Sequence, residues 1–177
     1  METNTLKFIT DRRSCREYTG KPLQFGDLER LMDAARQAPS AGNRQPWHCY
    51  AVLNTSLKAA LARGAYDQAF LADAAVVFVV CADPEECGQR YGERGRSLYV
   101  YQDTAAFTEN LLLAATALGY GSCWVGAFDE KEVSRVMDLP KNLRPVALIP
   151  VGPGGPSLNR PLRKPLSKIF TVITDED

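Results

Sequence analysis

A chain of 177 residues with 21 Lys+Arg against 21 Asp+Glu is long enough to bury one core and too evenly charged to be a general nucleic-acid binder. At 45 % hydrophobic and 24 % charged residues it is neither disordered nor collagen-like. The opening residues Met1-Glu2-Thr3-Asn4-Thr5-Leu6-Lys7 show no apolar leader, and the longest apolar run, residues 74–82, is too short to cross a bilayer. Five cysteines (Cys15, Cys49, Cys81, Cys87, Cys123) without C-x-x-C spacing do not read as a disulfide framework or a zinc site. The expectation is one domain, 1–177, in the cytoplasm, with neither nucleic acid nor membrane as partner.

In chain order, Leu28, Leu31, Met32 and Ala35 follow helical spacing, so residues 27–38 are expected as an amphipathic helix stopped by Pro39. Residues 49–53 read as a short strand and 57–63 as a helix ended by Gly64. Residues 75–81, rich in valine, read as a strand buried on both faces. Asp83-Pro84-Glu85-Glu86 supplies an N-cap, a first-turn proline and first-turn acids. Gly88, Gly92 and Gly95 suggest a loose, mobile connection. Phe107, Leu111, Ala114, Ala115 and Leu118 then trace one face of the longest helix, with Gly119 at its C-terminal cap. Residues 122–125 read as a strand, Asp129 with Glu132 as a helix start, 146–151 as a strand and 169–174 as a last strand. The class is α+β, with no internal repeat.

Several familiar sites fail on spacing. Gly119-Tyr120-Gly121 would need a third glycine where Trp124 stands, and Gly152-Pro153-Gly154-Gly155-Pro156 lacks the Gly-Lys-Ser/Thr ending of a phosphate-binding loop. His48, the single histidine, and Cys15, a cysteine among cations, are read as structural. The informative segment is Asp11-Arg12-Arg13-Ser14-Cys15-Arg16, where arginine forks and a hydroxyl suit a phosphate. Arg160, Arg163 and Lys164 form a second cationic group near the end of the chain. Between them, Ala38-Pro39-Ser40-Ala41-Gly42-Asn43-Arg44-Gln45-Pro46-Trp47 offers small and amide residues for close approach to a flat polar ligand.

With the Arg-Arg-Ser-x-Arg start, the Ala-Pro-Ser-x-x-Asn-x-Gln-Pro-Trp loop, the long helix entering Gly-Tyr-Gly-Ser-Cys-Trp-Val-Gly, and the late Arg-Lys-Pro-Leu, the sequence resembles the nitroreductase family of FMN-dependent oxidoreductases over nearly its whole length. The resemblance implies an α+β fold with a mostly antiparallel central sheet flanked by helices. It also implies a homodimer that exchanges its C-terminal strands and binds FMN between subunits. By matching position, Arg12, Arg13, Ser14 and Arg16 would hold the phosphate, ribityl chain and pyrimidine edge. Arg163 would close on the phosphate, with Arg160 or Lys164 nearby. Pro39, Ser40, Ala41 and Asn43 would approach the flavin from the other subunit. Trp124, Val125, Gly126 and Ala127 would pass near flavin N5, and Gln68 would meet the pyrimidine edge.

Two departures are visible: Cys-Trp-Val-Gly replaces the Pro-x-Glu-Gly of larger members, and no lysine follows Gln68 at the family's position. The implied activity is transfer of two electrons from NADH or NADPH through FMN to nitroaromatics, quinones or similar flat acceptors. The flavin would carry the chemistry and no side chain would be catalytic. A flavin-storing or flavin-sensing protein with little turnover is the alternative, and a small interaction domain with basic ends a third reading.

Overall fold

The computed structural model describes residues 4–155 and 161–174. Helix α1 (Asn4–Asp11) leads through an extended stretch into α2 (Asp27–Arg36). A short 3-10 turn, Ala41–Asn43, precedes strand β1 (Trp47–Val52), helices α3 (Thr55–Gly64) and α4 (Phe70–Asp73), and strand β2 (Val76–Ala82). Helix α5 (Pro84–Arg94) runs through a π-helical turn, Gly95–Tyr99, into the long α6 (Val100–Ala117). Strand β3 (Gly121–Ser122), helix α7 (Glu130–Val136), strand β4 (Arg144–Gly152) and a 3-10 turn, Leu166–Lys168, complete the order.

The sheet order is β1-β2-β4-β3, and each neighbouring pair is antiparallel. Strand β2 is buried at every residue, and its alternation divides the core. Val76, Phe78 and Val80 pack with Leu31 and Ala35 of α2 and with Phe107, Leu111 and Ala115 of α6. Val77, Val79 and Cys81 pack on the other face with Leu61 and Ala62 of α3, Leu71 of α4 and Val133 of α7. Helices on both faces leave little of the central strands in contact with water, as the valine run of β2 foretells. Between Val80 and Cys81 the β4 partner jumps from Ala147 to Pro145, a bulge beside a residue that has no N–H to give the ladder.

The caps follow the sequence closely. Asp83 accepts from the backbone N–H groups of Glu85 and Glu86 at 3.1 Å, and Asp129 from Lys131 and Glu132 at 2.8 and 3.1 Å. Gly119, at φ 80°, ends α6, with Gly119 N–H donating to Thr116 and Tyr120 N–H to Ala115.

Three expectations need correction. The glycine-rich stretch 88–95 is helical rather than loose, because its glycines allow close packing: a Cβ on Gly95 would meet the Cys87 carbonyl oxygen at 2.6 Å, and one on Gly88 the Arg96 side chain. Only Gly92, at φ 57° and ψ −141°, departs from helical geometry there. Of residues 122–125, only Ser122 lies in the β3 ladder; Val125 makes an isolated bridge to Leu148. Residues 169–174 form no strand in this chain: they are exposed, since no edge of the chain's own sheet receives them.

Candidate functional site

Helix α1 ends where Arg12 N–H donates to the Phe8 carbonyl at 3.0 Å, and the chain then extends along β3. Ser14 forms a parallel bridge with Ser122, and Cys15 N–H donates to the Ser122 carbonyl at 2.8 Å. Cys15 is fully buried. Its sulfur fills the space that Gly121 and Gly154 leave free, so it is the filler its sequence context implies. The Tyr18 hydroxyl reaches the Cys15 and Pro150 carbonyls at 3.0 Å each, pinning the segment to β4. Burial pushes the Tyr18 phenol well above its ordinary pKa, which keeps it protonated as a donor.

This anchoring sets the residues around Cys15 beside the segment after β3. Ser14, Arg16 and Arg12 lie near enough to the Cys123 thiol to favour its ionised form. Burial nevertheless prevails and pushes the Cys123 pKa up. Arg12 faces Glu109 of α6 at 3.7 Å. Arg13 and Arg16 have no carboxylate within ion-pairing distance among the described residues. The Arg13 Nε and the Ser122 hydroxyl are buried polar atoms without a hydrogen-bond partner, a costly condition that a ligand oxygen would relieve.

Gln68 joins the group from between α3 and α4, its Nε2 donating to the Ala65 and Ala127 carbonyls at 2.9 Å each. That arrangement leaves the Gln68 amide oxygen as an acceptor. It follows two residues held in left-handed backbone, Tyr66 at φ 55° and Asp67 at φ 57°. Trp124 is 41 % exposed, Gly126 and Ala127 are exposed, and Val125 is buried beneath them. Arg12, Arg13, Ser14, Arg16, Gln68 and the 124–127 segment therefore share one region.

Pro39, Ser40, Ala41 and Asn43 lie in a different place, against α5 and α6. Ser40 accepts from Gln45 N–H and Asn43 N–H at 2.9 Å each, and Ala41 N–H meets both carboxylate oxygens of Asp103 at 3.1 and 3.2 Å. Gly42, Asn43 and Gln45 have φ of 55°, 54° and 51°, so the loop is tightly coiled. None of its hydrogen bonds goes to the 12–16 segment among the described residues; the loop meets α6 at Asp103, whereas Arg12 meets it at Glu109. Arg163 and Lys164 are exposed, with no ion pair or hydrogen bond among the described residues; Arg160 lies outside them.

Sequence reasoning missed Asp103 and Tyr91. Asp103 is buried in α6, no cation pairs with it among the described residues, and burial pushes its pKa up while the Ala41 N–H opposes the shift. The Tyr91 hydroxyl occupies the space in which a Gly42 Cβ would stand. An acid within an apolar helix was a signal available in the sequence; a tyrosine beneath a glycine on another element was not. His48 is exposed on β1, its ring 4.6 Å from that of Tyr50.

The donor set suits FMN. The Arg13 and Arg16 forks without carboxylates, the Ser14 hydroxyl and an orphaned Arg13 Nε match a phosphate monoester and a polyol chain, and the Gln68 amide oxygen matches an N–H edge. A sequence profile described as the nitroreductase family matches residues 9–65 and 56–153. A protein of Archaeoglobus fulgidus, provisionally named NADH dehydrogenase/NAD(P)H nitroreductase, is 35 % identical over 151 residues, 83 % of each chain. An NADH dehydrogenase of Thermus thermophilus is 30 % identical over 184 residues, 86 % of this chain and 90 % of its own. A nitroreductase family protein from Streptococcus pneumoniae shares the fold at a TM-score of 0.85 and 24 % identity, covering 95 % of this chain and 99 % of that one.

Proposed function

The chain belongs to the nitroreductase family of oxidoreductases, and from that premise we propose that it is an FMN-dependent enzyme passing two electrons from NADH or NADPH to nitroaromatics, quinones or similar flat acceptors. The observation that carries this reading is the approach of the 12–16 segment to the 122–127 segment, with the Arg13 and Arg16 guanidinium groups free of carboxylates among the described residues and Arg12 paired only with Glu109.

FMN, when bound, would supply the two-electron redox chemistry. The chain's own residues bind and orient. Arg12 and Arg13 carry fixed positive charge for the phosphate, with the Ser14 hydroxyl as a neutral donor. Arg16 supplies a cation for the pyrimidine edge, a charge that favours the electron-rich form of whatever ring rests there. The amide oxygen of Gln68 accepts from a ring N–H, and its Nε2 keeps the exposed Ala127 backbone in place. The absence of an acid-base dyad from the described site fits a role in which water supplies the protons.

No hydrogen bond joins the 39–43 loop to the 12–16 segment within the described chain, which fits a homodimer in which the 39–43 loop of a second copy covers the flavin. The exposed residues Leu162, Leu166, Ile169, Phe170, Val172 and Ile173 form the arm that would cross to that copy, 97 % exposed at Leu162 and 84 % at Ile173. The test is uptake of FMN by the purified protein, followed by steady-state oxidation of NADH or NADPH with a quinone. Tight uptake with turnover supports the enzyme reading. Tight uptake with no NAD(P)H oxidation favours flavin storage, and no uptake refutes both.

A further inference from the structure

The 39–45 loop carries backbone strain that its packing does not account for. Among the described residues five other than glycine have positive φ, and two of them, Asn43 at 54° and Gln45 at 51°, flank Arg44. Left-handed backbone is unfavourable for a residue with a Cβ, and it persists only where neighbouring contacts impose it. Residues 39–45 are exposed or half-buried, so apolar packing does not impose it here. Polar contacts do so instead.

Arg44 ties the loop to α5. Its Nη2 pairs with Glu86 at 2.5 Å and donates to the Gln89 amide oxygen at 3.2 Å, two acceptors that lie three residues apart on one helix face. Both acceptors stand on a fixed support. Asp83 caps α5 by accepting from the Glu86 N–H at 3.1 Å, while its own N–H donates to the Pro46 carbonyl at 2.9 Å, just past the loop. Arg96 crosses α5 at Gly88, where no Cβ fits, and grips Glu85 through two hydrogen bonds of 3.0 Å. The Arg44 Nε is buried without a partner, so the polar contacts of this side chain among the described residues are those of Nη2. Arg44 and Glu86 are 30 % and 38 % exposed, too open for their pairing to add much to folding.

We propose that Arg44 is a positioning residue for the flavin: its contacts with Glu86 and Gln89 hold the 39–43 loop in the strained form that covers the FMN of a second copy. The proposal rests on the reading of that loop as part of an FMN site. Without the tie, Asn43 and Gln45 relax towards ordinary backbone, and the loop must be ordered again at each binding event. The loss falls on FMN release more than on folding.

The test measures FMN affinity and release rate, together with the Tm of the flavin-free protein, in wild type and in five variants. Arg44→Ala and Glu86→Ala are expected to weaken FMN about tenfold, mostly through faster release, while Tm falls by no more than about 2–4 °C. Arg44→Lys and Glu86→Gln each keep part of the contact and should fall between. Arg36→Ala, which breaks an exposed pair with Asp33 on α2, should bind FMN as wild type does. Unchanged FMN binding in both Arg44→Ala and Glu86→Ala overturns the proposal, and so does a loss that follows Tm across all the variants. A wild type that takes up no FMN refutes the flavin reading itself, and the proposal with it.

Discussion

Asp103 carries a buried carboxylate whose polar contact is the backbone N–H of Ala41, on a loop well separated in sequence. Removing the acceptor with Asp103→Ala orphans that N–H, at a cost of about 1–3 kcal/mol, and frees the loop assigned to the flavin. FMN affinity should therefore fall in Asp103→Ala and be largely restored in Asp103→Asn, which keeps an oxygen at the same place. The pH dependence has a definite sign. Burial raises the folded-state pKa of Asp103, so the native protein binds its proton more tightly than the unfolded chain does. The ionised form thus costs stability above the unfolded-state pKa, and the cost is relieved as pH falls through the raised value. Thermal melts from neutral to mildly acidic pH should show Asp103→Asn gaining most over wild type at neutral pH and losing that advantage on acidification. An advantage that grows on acidification would contradict this assignment.

At the scale of elements, the contact between the 14–18 segment and the chain just after β4 anchors the proposed phosphate side of the site. A Cβ on Gly154 would run into the carbonyl oxygen of Glu17 and stand 3.0 Å from the Cys15 sulfur, whereas one on Gly155 would meet open space. Gly154→Ala should cost about 1–3 kcal/mol in denaturant unfolding and weaken FMN binding, while Gly155→Ala should be close to neutral in both. Equal effects of the two substitutions would show that this close approach is unimportant. The same glycines mark the limit of sequence reading. Valine alternation in β2, the Asp83 and Asp129 caps and the Gly119 stop were legible because each acts through near neighbours in the chain. The helical run 84–99 was not, since Gly88 and Gly95 look like breakers until the Arg96 side chain and the Cys87 carbonyl are seen against them. Within the site, the arginine cluster was plain from composition, but Asp103 and Tyr91 act on a loop far away in sequence, and such contacts leave no local pattern.

For the whole molecule, residues 161–174 leave their apolar side chains in solvent, and no hydrogen bond joins the 39–43 loop to the 12–16 segment among the described residues. Both features would be accounted for by the proposed homodimer, in which each arm packs on the other copy and each flavin touches both chains. Truncation after Ser167 should then give monomer or aggregate by sedimentation, and a soluble, FMN-loaded dimer from that truncation would show the arm to be dispensable. In the full-length protein, FMN at about 100 times its Kd should stabilise the native state by about 2.7 kcal/mol, visible as a rise in Tm. The central claim, that Arg12 and Arg16 bind FMN, is tested most directly by titrating FMN into the wild type and into Arg12→Ala, Arg16→Ala and Lys7→Ala. Lys7 lies one helical turn before the cluster, is exposed and pairs with Asp11, so it reports the loss of a surface charge alone. Each arginine replacement should lose about 1.5–3 kcal/mol of FMN affinity, with Lys7→Ala near wild type. Equal affinities in all four proteins would contradict the account.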